Sequence, residues 1–323
     1  MADNKYTQGD LKIMQSWPLE RKILVTQTRI IEWYQKNDGK VYVSFSGGKD
    51  STVLLDLVRR IYPDVPAVFV DTGLEYPELR EFVNTIDNVT WIKPGMNFRK
   101  VIETYGYPVI SKEVSNRVYW GRKYINENGR VGEWAYKSLT QPSYTKDGKK
   151  SPYDKHKYGF LLNAPFNISD QCCYVMKKDT AHKYEKKTGK KPILATMAQE
   201  SQMRTTNWLK YGCNAFEAVY QSSKPMSFWT EQDVLRYLKE FNIPYASVYG
   251  EIKQDENVKY YTTGCNRTGC VFCGFGCHLE KEPNRFQMLK QTHPKLWNYC
   301  MKPWDEGGLG MKEVLEYIGV KYE

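Results

Sequence analysis

Between Glu20 and Tyr34 the apolar residues Ile23, Leu24, Ile30, Ile31 and Tyr34 return on one face, so this stretch reads as an amphipathic helix. The turn dipeptide Asp38-Gly39 follows, and behind it residues 40–45 gather β-branched and aromatic side chains into a short strand. Ser46 to Ser51 is a Gly-rich loop. Helical spacing resumes from Thr52 to Ile61 through Val53, Leu54, Leu57, Val58 and Ile61. A second strand over 67–70 runs into Asp71-Thr72-Gly73, a helix spans Pro77 to Ile86, and a third strand lies around 89–92. Strand, loop and helix alternating at this pitch predict an α/β fold with a parallel sheet, whose ligands sit at the carboxyl ends of the strands. Ser46–Ser51 and Asp71-Thr72-Gly73 both fall there. The alternation stops from about Lys112 to Tyr158, a polar, Tyr- and Trp-rich stretch broken by Gly129, Gly132, Pro142, Gly148 and Pro152. It returns with a strand over Pro192–Met197 and a helix from Thr230 to Phe241, where Thr230 and Asp233 form a capping pair.

Composition narrows the class. The 323 residues are 41% hydrophobic and 26% charged, a globular mixture with ample core. There is no run of 18 apolar residues, and the opening Met1-Ala2-Asp3-Asn4-Lys5 has no hydrophobic signal core, so the expectation is a cytoplasmic protein without a membrane segment. The net charge of +10 points to phosphate-bearing partners. All eight cysteines lie in the second half, a distribution that suits metal or redox chemistry better than a disulfide scaffold.

Ser46-Gly47-Gly48-Lys49-Asp50-Ser51 joins a strand to a helix. Glycines let that backbone approach an anion, and the unsatisfied N–H groups of the next helix can cradle phosphate oxygens. Lys49 and the hydroxyls of Ser46, Ser51 and Thr52 are further candidate donors. The spacing is not that of a Walker A loop. An ordinary strand-to-helix turn is the alternative.

Ser44-Phe45-Ser46-Gly47-Gly48-Lys49-Asp50-Ser51-Thr52 resembles the signature of the PP-loop ATP pyrophosphatases, and more narrowly the phosphoadenosine phosphosulfate (PAPS) reductase family. Asp71-Thr72-Gly73, Gln171-Cys172-Cys173, Glu200-Ser201 with Arg204, the segment from Pro225 through Trp229-Thr230 to Asp233-Val234, and the cysteines up to Cys273 resemble further family motifs in the same order. The resemblance implies a doubly wound, mostly parallel sheet and an enzyme. ATP or a related adenine nucleotide would lie on Ser44, Ser46, Gly47, Gly48, Lys49, Asp50, Ser51 and Thr52, beside Asp71, Thr72 and Gly73. Lys49, Asp50 and Arg204 are the expected catalytic groups, with Asp50 either holding Mg²⁺ or serving as a helix-start carboxylate. The implied layout is an α/β domain in two halves, 1–111 and 166–262, with a basic, aromatic lid at 112–165 and a Cys-rich knuckle and helical tail at 263–323.

Four thiolates select zinc or an iron–sulfur cluster. The spacing itself offers the local set Cys265, Cys270, Cys273 and Cys277. The resemblance favours Cys172, Cys173, Cys270 and Cys273, and with them a 4Fe–4S cluster. Cys213 and Cys300 read as ordinary buried residues. Reductases of the family attack with a cysteine in a C-terminal Cys-Gly-Leu-His context. Here no cysteine follows Cys300, and Met197 stands where they carry an arginine. The expectation therefore moves to the ATP-dependent sulfur-transfer branches, with APS/PAPS reduction by a thiol reductant as one alternative and a zinc-stabilised binding module as another. Residues 117–158 hold ten Lys/Arg against four acids, interleaved with aromatic rings, and residues 177–191 hold seven against two. That composition suits a nucleic-acid acceptor as well as it suits solvated faces.

Overall fold

The computed structural model describes residues 4–151 and 153–323. Met1, Ala2, Asp3 and Pro152, which enter the reading above, lie outside the described residues. The chain runs through α1 (Gln8–Gln15), α2 (Leu19–Lys36), β1 (Val41–Ser44), α3 (Lys49–Arg59), β2 (Ala67–Val70), α4 (Pro77–Asn84) and β3 (Val89–Ile92). Next come α5 (Phe98–Tyr105), β4 (Val109–Ile110), α6 (Lys112–Asn126), α7 (Glu133–Thr140), α8 (Asp179–Thr188) and β5 (Lys191–Ile193). After α9 (Gln202–Tyr211) and α10 (Glu231–Glu240) the hairpin strands β6 (Ile252–Gln254) and β7 (Tyr260–Thr262) lead to β8 (Gly274–Phe275). Three helices finish the chain: α11 (Arg285–Thr292), α12 (Pro294–Met301) and α13 (Met311–Tyr317).

The expected strands at 67–70 and 89–92 match β2 and β3, and Asp38 and Gly39 both take positive φ ahead of β1. Two expectations shift. The helix expected from Thr52 starts at Lys49, because Gly48 is extended and acts as its N-cap. The strand expected over Pro192–Met197 stops at Ile193, where pairing passes to a single bridge with Ser223.

The chain divides into two compact units. The first comprises the residues up to Asp71, Glu75–Lys93 and Thr180–Thr268. Its sheet has the order β3-β2-β1-β5 with every pair parallel, in register Val43 with Ala67, Val41 with Lys191 and Ala67 with Val89. Val41, Val43 and Ala67 are fully buried, as are Val53, Leu54, Leu57 and Val58 on α3 and Ile30 and Trp33 on α2. Strands buried so completely need continuous apolar runs, which residues 41–43 and 67–70 supply. The strand order reverses at β1, so its carboxyl end is a topological switch point. Two polar contacts tie the core together: Trp229 Nε1 donates to Thr26 Oγ1 at 2.8 Å, and Lys22 Nζ meets Asp233 Oδ2 at 2.5 Å. Asp233 also completes the capping box with Thr230 at the start of α10, as the sequence predicts.

The second unit comprises Thr72–Leu74, Pro94–Asp179 and Gly269–Glu323. In it β4 pairs in parallel with β8, and α6 packs on α7. Gly106 takes φ +104°, and a Cβ there would strike the backbone of Asn167, whose carbonyl accepts from Tyr107 N at 2.8 Å. Arg122 is a structural cation. Its guanidinium donates to the carbonyls of Leu161, Leu162, Ala164 and Phe166 and so fixes the 3-10 turn at His156–Asn163. Among the described residues no helix is long and apolar enough to cross a membrane.

Candidate functional site

In the first unit the loop leaves β1 after the buried Phe45 and turns at Gly47. Gly47 has φ +72°, and a Cβ there would lie 2.9 Å from Val83 Cγ2 and 3.2 Å from the Leu79 carbonyl, so only glycine fits. The hydroxyls expected as ligand donors hold the loop itself. Ser51 Oγ donates to the Gly48 carbonyl at 2.9 Å and accepts from Ser46 N at 3.2 Å, and Thr52 Oγ1 donates to the same carbonyl at 3.1 Å. Ser46 Oγ lies 3.1 Å from Ser51 Oγ and accepts from Gly48 N at 3.3 Å. Gly48 carries no side chain to cap α3, so the first N–H groups of that helix look to other partners. Lys49 N finds one in the Tyr249 hydroxyl at 3.2 Å.

Lys49 is buried, and its Nζ is held by the Asn266 carbonyl at 2.5 Å and by Glu231 Oε1 at 2.9 Å. The Tyr249 hydroxyl also lies 2.5 Å from Thr268 Oγ1, and burial pushes its pKa up to about 12. Asp50 presents a buried Oδ1 with no hydrogen-bond partner. Burial raises its carboxyl above the usual range; Glu231 adds to this, while Lys49, Arg267 and Arg204 oppose it. Arg204 forms an ion pair with Glu200, and burial followed by the nearby Arg267 lowers its pKa. Met197 is buried, so the position of the family arginine is filled here by a core side chain.

Asp71, just beyond β2, bonds Arg80 Nη2 through Oδ2 at 3.0 Å while its buried Oδ1 is unpartnered. Thr196 Oγ1, beyond β5, is a third buried atom without a partner. Because β1, β2 and β5 are parallel, Asp50, Asp71 and Thr196 all follow carboxyl ends of one sheet. Buried polar atoms are rarely left unpaired, and these three lie along one such edge. Thr72 and Gly73 belong to the second unit, where Thr72 Oγ1 accepts from Leu74 N at 3.2 Å.

In the second unit Cys172, Cys173, Cys270 and Cys273 line one small cavity with Leu74, Phe98, Pro108, Met176 and Lys177. Cys172-Cys173 opens a helical turn that widens into a π-helix at Tyr174–Lys178. Cys273 N closes on the Cys270 carbonyl at 3.0 Å, and Arg285 Nη1 holds the Cys273 carbonyl at 3.0 Å. Cys172 donates to Cys173; that bond, with Lys112 and Lys177 nearby, lowers the Cys173 pKa and favours its thiolate, while Cys172 is pushed up. Burial raises Cys273 to about 12. Cys277 is turned away, its Sγ donating to the Gly274 carbonyl at 3.0 Å, and Cys265 belongs to the first unit. Among the described residues no group of three or more His, Cys, Asp or Glu stands ready to hold a single metal ion. Cys213 and Cys300 are buried, as expected.

Half of the ten cations of the basic segment pair with acids of the chain, and the segment keeps a positive excess. Arg117 and Lys155 pair with Glu113, Lys123 with Glu127, Lys137 with Glu133 and Lys150 with Asp154. With Arg122 internal, these account for most of the cations counted between 117 and 158.

Tyr249, Glu231, Asn266, Arg267 and Thr268 escape sequence reasoning as site residues, although four of them lie inside segments that carry family motifs. The model of the phosphoadenosine phosphosulfate reductase domain matches residues 40–109 and 136–274, well over half of the chain. This protein belongs to the PAPS reductase family. An uncharacterised protein of Methanocaldococcus jannaschii is 40% identical over 272 residues, covering 82% of this chain and 41% of that protein. The chain thus spans about two-fifths of that relative's length. An adenosine 5'-phosphosulfate reductase of Staphylococcus epidermidis is 22% identical over 241 residues, 73% of each chain. The crystal structure of a PAPS reductase from Candida auris in a phosphate complex overlays with a TM-score of 0.40 at 15% identity, covering 80% of this chain and 100% of that one.

Proposed function

We propose that the chain is a sulfonucleotide reductase that binds adenosine 5'-phosphosulfate or its 3'-phosphorylated form, with the phosphate on Ser46–Thr52 of the first unit. The observation that carries this reading is the set of unpartnered buried atoms on Asp50, Asp71 and Thr196 along the carboxyl edge of the parallel sheet. As acceptors, the carboxylate oxygens would meet hydroxyl or amino donors of the nucleoside, not its phosphate. Glycine at 47 and 48 opens the α3 N-terminus to an anion, while Lys49 and Arg204 supply charge next to it. In the reaction a thiolate attacks the substrate sulfur, an S–S bond forms, and the S–O bond to the phosphate breaks. Adenosine phosphate leaves with the electron pair, and the loop N–H groups stabilise its new negative charge. A second thiol then releases sulfite and completes a disulfide, which balances the two electrons. Cys300 is not the attacking thiol: it is fully buried, and burial pushes its pKa far up. The reading therefore takes its thiols from a partner reductant of the dithiol class.

Cys172, Cys173, Cys270 and Cys273 of the second unit would hold a 4Fe–4S cluster, which supplies charge and redox capacity when bound. The same buried state of Cys300 favours a second reading, ATP-dependent sulfur transfer, in which Asp50 would hold Mg²⁺ and pyrophosphate would leave. Anaerobically isolated protein given adenosine 5'-phosphosulfate and a dithiol separates the two. Release of sulfite and AMP supports reduction. No sulfite, with pyrophosphate formed from ATP and Mg²⁺ instead, overturns it in favour of sulfur transfer.

A further inference from the structure

Three cations surround Asp50: Lys49, Arg204 and Arg267. Two are already engaged, Lys49 with Glu231 and Arg204 with Glu200. Arg267 makes no ion pair among the described residues, and its side chain is exposed. Its neighbours on both sides touch the loop: the Asn266 carbonyl takes Lys49 Nζ at 2.5 Å, and Thr268 Oγ1 lies 2.5 Å from the Tyr249 hydroxyl, which in turn accepts from Lys49 N. A Cβ on Gly48 would come within 3.2 Å of that hydroxyl and 3.6 Å of Thr268 Oγ1, so residues 266–268 lie directly over the start of α3.

From this placement we infer that Arg267 is a substrate-binding residue that pairs with the phosphate or sulfate of the nucleotide. The inference rests on the reading of the loop given above and deepens it. An anion reaching the α3 N–H groups has to take the Lys49 N–H from Tyr249, whose hydroxyl is tied to Thr268. The same exchange leaves the only uncommitted guanidinium of the cluster beside the incoming charge. Guanidinium is suited to this role because its planar fork pairs with two oxygens of a phosphate or sulfate at once.

The test is calorimetric titration of adenosine, AMP and adenosine 5'-phosphosulfate into the full chain and into Arg267→Ala and Arg267→Lys. Arg267→Ala is expected to bind both anionic nucleotides at least tenfold more weakly, with adenosine affinity and Tm unchanged. Arg267→Lys is expected to recover part of the loss, and the salt dependence of AMP binding flattens in Arg267→Ala because one screened charge pair is gone. Equal affinity of wild type and Arg267→Ala for AMP and the phosphosulfate overturns the assignment while leaving the loop site standing. A tenfold loss that adenosine shares marks a structural role and overturns it too. A wild-type chain that binds none of the three removes the loop reading itself, and the Arg267 assignment with it.

Discussion

Around the phosphate loop, the groups that a guest would meet are mostly spoken for: Lys49 by Glu231 and Asn266, the α3 N–H of Lys49 by Tyr249, and Arg204 by Glu200. Around the cysteine cavity the walls are apolar apart from Lys177, and the largest influence on Cys172 and on Cys173 is the bond between them. On the reading proposed above the loop would bind by exchange, giving up internal contacts for external ones, so its affinity would be a difference between two paired states. On the same reading the cavity would bind by completion, because thiols in a largely apolar wall give up few internal contacts when they become ligands. Substitutions at the loop should move affinity by degrees, whereas those at the cavity should abolish occupancy.

The largest effect expected is at the cavity. Cys270→Ser with Cys273→Ser should reduce the iron content and visible absorbance of anaerobically isolated protein to background. Cys277→Ser should leave both intact, because that thiol is spent on Gly274. Iron lost in Cys277→Ser and kept in Cys172→Ser would transfer the site to the local set of cysteines. At the loop, Lys49→Ala should weaken AMP binding by about 10- to 100-fold, the range for one charge-assisted contact to a phosphate. Glu231→Gln breaks the comparison from the other side. It frees Lys49 from its internal acid, so AMP should bind about three- to tenfold more tightly by titration; unchanged or weaker binding would mean that the internal pair does not compete with the guest.

The smallest effect concerns pH. Burial raises the Asp50 carboxyl, so its contribution to stability is present below the ordinary carboxylate pKa and is lost as pH rises through the folded value. At neutral pH the charged group weakens the fold. Asp50→Asn should have a higher Tm than wild type at pH 7, and the gap should close as the pH falls towards about 4. A gap that widens on acidification would contradict the assigned direction.

The two regions also differ in how far the sequence reveals them. The loop is contiguous, so Gly47, Gly48 and Lys49 can be read from spacing, and the apolar runs of β2 and the Thr230–Asp233 cap are local signals that survive folding unchanged. What lies over the loop is not local. Tyr249 and Arg267 reach it from some 200 residues away, and no periodicity encodes that approach. The hydroxyls of Ser51 and Thr52 show a subtler limit, since a residue type suited to bind phosphate is equally suited to bind the Gly48 carbonyl. In the second unit the cation count between 117 and 158 is legible, but the pairing of those cations with Glu113, Glu127, Glu133 and Asp154 depends on helix register and folding. Arg122 in particular looks like surface charge and is instead a brace for four carbonyls.

Exchange at the loop can be watched directly by amide hydrogen exchange of the full chain with and without saturating AMP. The account predicts slower exchange at residues 47–52, where the anion takes up the N–H groups. Saturation with AMP that leaves residues 47–52 unchanged would contradict it.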